Sequence, residues 1–332
     1  MKKSAFILGK GNFEKIYKGS NFAAISEMTE VVGKPITNDE AFENAELLKD
    51  VEIIFSGWGA PKLTQEFLDM TPNLKAFFYG AGSIRALLTD EFWKKDIIIT
   101  SSYAANAVPV AEYSVAQIIL SLKRFWLYAF SIKKSGAAVK REETSMPGGY
   151  GTIVGLVSLG MIGSMVAERL KSFDLNIVAY DPFASQEKAD ELGVKLVELD
   201  ELFKVSDVVS LHAPNIPATQ KMIKPDHFKV MKPNSTFINT ARGAVVDEEG
   251  MLDVLEERTD VYALLDVTYP EPPAENSRIF SLNNVILTPH IAGSISNECK
   301  RMGEYAVNEC RKYLAGEELT WNVSKEQAAI MA

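Results

Sequence analysis

The sequence predicts an α/β protein whose parallel strands fall into two groups. Three observations point there. Short runs of β-branched and aliphatic residues recur along the 332 residues, helical patterns with charged faces separate them, and turn residues follow nearly every run. A content of 47% hydrophobic and 24% charged residues is ordinary for a globular chain, and the length suits two domains.

The first group of strands is SAFILG, VEIIFS, LKAFFYG and IIITS, which form a small doubly wound unit over the first third of the chain. VAEYSVAQIILSLKRFWLYAF follows, with Val110, Ala111, Val115, Ile118, Ile119 and Leu122 at helical spacing and Pro109 near its start. One long connecting helix is expected there. KREETSMPGGYG, with Pro147 and a glycine pair, is a surface loop. The second group is TIVGLV, NIVAY, DVVSL, STFIN, VYALL and NVILT, with MIGSMVAERLKSF and DEEGMLDVLEE as intervening helices. Six such strands fit a dinucleotide-binding domain. An amphipathic helix over Ser296–Leu314 closes the pattern.

A net charge of −9 leaves no basic surplus, which argues against nucleic acid or an anionic membrane as the main partner. The N-terminal apolar run breaks at Lys10, too short for a signal sequence or a membrane span, so a cytoplasmic location is expected. The only cysteines, Cys299 and Cys310, share the last helix. At 1.5 Å per residue they lie roughly 16 Å apart, beyond disulfide reach, and neither has a metal-ligand neighbour at usual spacing. They are packing residues, and no metal is expected.

In an open α/β sheet ligands bind beyond the carboxyl ends of the strands, so the residues after each strand carry the chemistry. After TIVGLV, Ser158-Leu159-Gly160-Met161-Ile162-Gly163 opens a helix. It keeps two of the three glycines of G-x-G-x-x-G, which let a pyrophosphate approach the helix N-terminus. Ser158 replaces the first glycine. A side chain is tolerated there at negative φ, so negative φ is expected. After NIVAY comes Asp181, eighteen residues beyond Gly163, at a spacing suited to the adenosine ribose hydroxyls. A turn aspartate before Pro182 is the structural alternative. No lysine or arginine follows until Lys188, which favours NAD over NADP.

The other tips are His212-Ala213-Pro214, Thr240-Ala241-Arg242-Gly243, Asp266 and Pro289-His290. His227, on a polar helix, is expected to face solvent. A histidine is the natural acid–base group at neutral pH, and a carboxylate such as Glu271 in DVTYPEPP would fix its tautomer. Arg242 offers a planar guanidinium that grips a carboxylate or polarises a carbonyl. Beside a nicotinamide, these three suit hydride transfer to or from a 2-oxo or 2-hydroxy acid.

GLVSLGMIG, YDP, LHAP, INTARG, LDVTYPEP and LTPHIAG, in this order, resemble the D-isomer-specific 2-hydroxyacid dehydrogenase family over nearly the whole chain. The resemblance implies a Rossmann-like NAD-binding domain, residues 108–296, inserted into a flavodoxin-like substrate domain, residues 1–107 and 297–332. It also implies a homodimer packed through the cofactor domains. By the same resemblance Arg242 binds the substrate's carboxylate and carbonyl, His290 donates the proton, Glu271 pairs with His290, and Asp266 binds the nicotinamide carboxamide. Ser158, Gly160, Met161, Ile162, Gly163, Asp181, His212, Ala213, Pro214, Thr219, Thr240, Ala241 and Gly293, with Arg242 and His290, then line NAD.

Tyr79, Gly80, Ala81 and Gly82 match the family's substrate loop, whose backbone N–H groups can cradle a carboxylate. Trp58 and Tyr79 are expected to shape the pocket for the acid's substituent. Asn106 matches a family position in the interdomain cleft, with a helix cap as the alternative. Where family members carry an acidic residue past the substrate loop, this chain has Arg85. The function implied is NAD-dependent interconversion of a small-molecule 2-oxo acid and a D-2-hydroxy acid. An NAD(H)-sensing binding protein, like the corepressors sharing this architecture, is the alternative.

Overall fold

The computed structural model describes residues 1–140, 142 and 145–331, so Arg141, Glu143 and Thr144 of the KREETSMPGGYG loop lie outside the described residues. The chain divides into two compact units, Met1–Ala107 with Ser294–Ala332, and Val108–Gly293. The second division falls at Ser294 rather than at residue 297.

The first unit holds β1 (Lys3–Ile7), β2 (Glu30–Val31), β3 (Ile53–Ser56), β4 (Ala76–Tyr79) and β5 (Ile98–Ser101), parallel and in the order β2-β1-β3-β4-β5. This is the flavodoxin-type order. Every residue of β3 and β4 is buried, as in a sheet covered on both faces, which is why these strands read as unbroken apolar runs. Phe6, Phe55 and Phe78 are register partners across three strands and stack at 5.3 and 5.4 Å. The helix Glu298–Ala315 turns Cys299, Met302, Ala306 and Cys310 onto this core, and both cysteines are buried and free.

The single long helix expected after β5 is instead two. Tyr103–Leu122 starts earlier than expected and keeps Pro109 inside it, and Phe125–Ser135 follows a break at Arg124, whose φ is 49°. A left-handed arginine costs about 1–2 kcal/mol. Its guanidinium is held by the Asn234 side-chain oxygen at 2.6 Å and lies over the Tyr262 ring at 5.7 Å, contacts that periodicity does not reveal. The helix Phe125–Ser135 buries none of its residues and exposes Phe125, Phe130 and Ile132. Among the described residues no single helix is long and apolar enough to cross a membrane.

The second unit holds β6 (Ile153–Val157), β7 (Asn176–Tyr180), β8 (Lys195–Leu196), β9 (Val208–Leu211), β10 (Thr236–Asn239), β11 (Tyr262–Leu265) and β12 (Val285–Leu287). All pairs are parallel, and the order is β12-β11-β10-β9-β6-β7-β8. The chain builds outward from β6 through β7 to β8, then returns to the other side of β6 with β9. That reversal opens a crevice at the tips of β6 and β9, the place where doubly wound sheets bind ligands. The two-residue strands β2 and β8 lie at sheet edges and carry no pattern long enough to read from sequence.

His227 does not face solvent. It is 7% exposed and stacks on Phe203 with ring centroids 4.8 Å apart. Its Nδ1 accepts the Lys224 N–H at 2.9 Å, capping the helix Pro225–Lys229, and its Nε2 donates to Asp200 at 3.0 Å. Burial holds its pKa below the usual value, with Asp200 opposing the shift. The polar neighbours that suggested exposure lie on the helix's other positions.

Candidate active site

The loop after β6 begins with Ser158 at φ 79°, the reverse of the expected sign. A Cβ in that region costs about 1–2 kcal/mol, and local bonds offset it. The Ser158 N–H donates to the Tyr180 carbonyl at 2.7 Å and its hydroxyl to Asp181 Oδ2 at 3.2 Å, while the Leu159 N–H meets the same oxygen at 2.7 Å. A hydrogen bond to a charged group contributes about 1.5–3 kcal/mol, enough to hold a serine where a glycine would be unstrained. That carboxylate lies outside the hexapeptide, in the turn after the neighbouring strand β7.

Asp181 Oδ1 also accepts from the Phe183 and Ala184 N–H groups at 2.8 and 3.2 Å, so four donors of its own chain meet this carboxylate. Asp181 thus clamps the β6 loop to the β7 turn. Lys188, distant along the chain, is brought by its helix to the Leu159 carbonyl at 2.6 Å, so a cation does reach this loop.

The residues present fit a dinucleotide. A Cβ at Gly163 would lie 2.0 Å from the Ser158 carbonyl oxygen, so the fold itself requires that glycine. Gly160 differs. Its φ is −63°, and a Cβ there would meet only the Ser158 hydroxyl at 3.7 Å, so nothing in the chain demands a glycine and the space is open for a ligand. The first intrahelical bond is made by Ser164 to the Gly160 carbonyl, leaving the N–H groups of Met161, Ile162 and Gly163 at the helix end for an anion. At the adjoining β9 tip, His212 is 8% exposed, and neither ring nitrogen has a partner among the described residues. Burial pushes its pKa down to about 3, so a neutral imidazole with unused polar atoms flanks the loop. Ala213 and Pro214 follow, and Thr219 closes their loop by accepting the Ile216 N–H at 3.0 Å and donating to the Pro214 carbonyl. Thr240 pairs with the Ser114 hydroxyl at 3.0 Å beside Ala241.

Arg242, Glu271 and His290 follow three adjacent strands, β10, β11 and β12. The Arg242 turn is fixed by buried Asn239, whose Oδ1 accepts the Ala241 N–H at 3.0 Å and whose amide donates to the Arg242 carbonyl at 3.2 Å. Gly243 lets the β10 turn touch the β11 turn. A Cβ there would lie 2.1 Å from the Thr268 carbonyl carbon and 2.5 Å from the Tyr269 nitrogen. The β11 turn runs on through Tyr269–Pro270 and Glu271–Pro272, both cis, with the Tyr269 N–H held by Glu248 at 2.9 Å. Burial raises the Glu248 pKa, and that bond opposes the rise.

Glu271 Oε1 lies 2.7 Å from His290 Nδ1. His290 has φ 53°, and its N–H donates to the Asp266 and Thr288 carbonyls at 3.0 Å each. Asp266, 2% exposed, accepts the Ile291 and Ala292 N–H groups at 2.9 and 2.8 Å and the Thr288 hydroxyl at 2.6 Å. A carboxylate offers about four lone-pair sites, so one remains on Oδ2. Arg242 is half-buried; desolvation pulls its pKa down while Glu271 pushes it up, and among the described residues its Nη1 bonds only the Ala241 carbonyl, at 2.6 Å. Asn239, Glu248 and Thr288 escaped notice in the sequence because they hold backbone rather than lie in a motif. Gly293 ends this unit.

The expected substrate-loop residues belong to the other unit. The Gly80 N–H is used by the Ser56 carbonyl at 2.8 Å, and the Ser101 hydroxyl draws back the carbonyls of Ala81 and Gly82. The N–H groups of Ala81, Gly82 and Ser83 take no acceptor among the described residues, an arrangement suited to an anion. Tyr79 is buried in this unit's core, where desolvation pushes its phenol up to about 12. The Trp58 carbonyl accepts from the Gly9 N–H at 2.7 Å and the Asn12 amide at 2.9 Å, tying the β3 tip to the β1 tip. Asn106 lies inside a helix rather than at its cap, and its Oδ1 accepts the Ser294 N–H at 3.0 Å. Arg85 is exposed.

The family model for the D-isomer specific 2-hydroxyacid dehydrogenase, NAD binding domain, matches residues 115–292. The chain is 30% identical to D-3-phosphoglycerate dehydrogenase of Methanocaldococcus jannaschii over 88% of its own length and 55% of that protein. It is 33% identical to glyoxylate reductase of Thermococcus litoralis, over 77% of the chain and 78% of the relative. The chain spans about half the length of the phosphoglycerate dehydrogenases it matches. The crystal structure of D-lactate dehydrogenase from Aquifex aeolicus, complexed with NAD and lactic acid, superposes with a TM-score of 0.70 at 27% identity, covering 95% of this chain and 96% of that one. The glycine-bearing loop at the sheet's switch point, the tip residues on β10 to β12 and these matches together show that the chain belongs to the D-isomer specific 2-hydroxyacid dehydrogenase family, with its NAD-binding domain over residues 115–292.

Proposed function

We propose that the protein is an NAD-dependent oxidoreductase that reduces a 2-oxo acid to the D-2-hydroxy acid and runs the reverse reaction when driven. The observation that carries this is the His290–Glu271 contact at 2.7 Å, on the tip adjacent to that of a half-buried Arg242. Bound NADH supplies the hydride. With Nδ1 of His290 engaged by Glu271, its Nε2 is the nitrogen left to give a proton to the oxo oxygen. Arg242 spends one donor on its own chain, and its remaining N–H groups grip the substrate's carboxylate and the oxygen on which charge develops. An anionic substrate also compensates a guanidinium that burial has left short of solvent.

The test is NADH consumption with short, branched, aromatic and phosphorylated 2-oxo acids. Turnover should occur with at least one, and His290→Gln should lower it by about 100-fold or more with NADH affinity unchanged. Tight NADH binding without turnover of any acid would favour the sensor reading.

The same reading makes the protein a cytoplasmic homodimer, supported by its free cysteines and by the helix Phe125–Ser135, which exposes Phe125, Phe130 and Ile132 and packs Trp126 only partly against the core. Sedimentation should give a dimer that Phe130→Glu weakens. A wild-type monomer would refute the dimer.

A further inference from the structure

We propose that Thr288 and Tyr113 are positioning residues for His290, holding its left-handed backbone through the buried carboxylate of Asp266. This rests on the acid–base role of His290 proposed above. A histidine at φ 53° occupies a region that disfavours side chains, so something must hold it there. The two N–H groups that follow, of Ile291 and Ala292, converge on the Asp266 carboxylate at 2.9 and 2.8 Å, as successive amides do around an anion. Asp266 is therefore the hub on which the His290 turn is wound, and its orientation fixes where the imidazole points.

That orientation is set from behind. The Thr288 hydroxyl lies 2.6 Å from Asp266 Oδ1 and 3.0 Å from the Tyr113 hydroxyl. A carboxylate only accepts, so the single proton of Thr288 goes to Asp266, and Tyr113 must donate to Thr288. The order is Tyr113 to Thr288 to Asp266, with each hydroxyl's proton assigned. No salt bridge to Asp266 occurs among the described residues, so its charge is met by these hydrogen bonds alone. A cavity of about 10 Å³ adjoins the Tyr113, Thr288 and Asp266 side chains, room for one water. Thr288→Val removes the hydroxyl while keeping the volume, so it opens no further space for a second water at the position the hydroxyl held.

The experiment compares Thr288→Val, Thr288→Ser and Tyr113→Phe with wild type. Thr288→Val should lower kcat between about 10-fold and 100-fold, the range of a misplaced catalytic group, while the NADH dissociation constant stays within about twofold. The solvent deuterium isotope effect on kcat should rise, because proton transfer from a displaced imidazole becomes more limiting. Thr288→Ser, which keeps the hydroxyl, should restore both, and Tyr113→Phe should fall between. The chain has three histidines, so their imidazole Cε1–H and Cδ2–H resonances can be assigned by substitution. The His290 pair should shift in Thr288→Val and return in Thr288→Ser, with His212 and His227 unmoved. This readout needs no turnover, so a wild type without activity would sink the enzyme reading and leave the positioning inference to be judged by resonance. Unchanged His290 resonances in Thr288→Val, or a Thr288→Ser protein as impaired as Thr288→Val, would overturn it.

Discussion

Gly243→Ala is the substitution whose consequence follows most directly from the packing of the two turns. The new Cβ would stand 2.1 Å from the Thr268 carbonyl carbon, 2.3 Å from its oxygen and 2.5 Å from the Tyr269 nitrogen, all backbone atoms that no rotamer change can move aside. Ordinary contact begins at 3.4 Å, so the two turns must separate by 3.4 − 2.1 = 1.3 Å. One of those turns carries Arg242 and the other leads within three residues to Glu271. Displacement of about 1 Å between catalytic groups costs on the order of 100-fold in rate. Overpacking of this kind also destabilises by about 1–3 kcal/mol, which for a unit of this size lowers Tm by roughly 2–12 °C. The assay is kcat with the best 2-oxo acid beside a thermal melt of the same preparation. A Gly243→Ala enzyme with wild-type kcat would show that the spacing of these two turns does not govern the chemistry.

Three other outcomes are expected. Gly160→Ala should leave the melting temperature of the free protein unchanged, since its Cβ meets only the Ser158 hydroxyl at 3.7 Å, yet weaken NADH binding by about 10-fold or more; calorimetry showing unaltered affinity would remove Gly160 from the cofactor site. Ser158→Gly should be more stable than Ser158→Ala by about 1 kcal/mol in urea unfolding, because both lose the hydroxyl bond to Asp181 but only glycine is free of the strain of a Cβ at positive φ; the opposite ranking would mean the loop is not strained. His212, held neutral to about pH 3, has a folded pKa below its unfolded value, so its contribution is complete above pH 6.5 and is lost as pH falls from there toward 3. Each pH unit in that window costs about 1.4 kcal/mol, and His212→Gln should flatten the slope by that amount; an unchanged slope would mean the ring is solvated.

Long strands with dense apolar runs were plain in the sequence, as were the tip residues that follow them, because both signals are local. The failures share a cause. Ser158, His227 and Arg124 each hold a conformation set by a partner well removed along the chain: the Asp181 carboxylate, the Asp200 carboxylate with the Phe203 ring, and the Asn234 amide with the Tyr262 ring. Lys188 shows the same from the other side, since counting residues put it far from the glycine loop while the fold puts it on that loop. Residues that act by holding backbone, such as Asn239, Glu248 and Thr288, carry no motif and become visible only with hydrogen bonds in view.

The order of the second sheet makes it a ruler. From the β6 tip, where the glycine loop begins, to the β11 tip that leads to Glu271, the order passes through β9 and β10. Neighbouring strands are spaced about 4.8 Å, so three intervals fix that separation at about 14 Å. Backbone hydrogen bonding between the strands sets this length, so a substitution in the loops can move the turns beyond the tips but leaves the spacing of the strand ends in place. Variation at the tips is thereby confined to what the end of the ruler carries, and only the gain or loss of a whole strand would change its graduation.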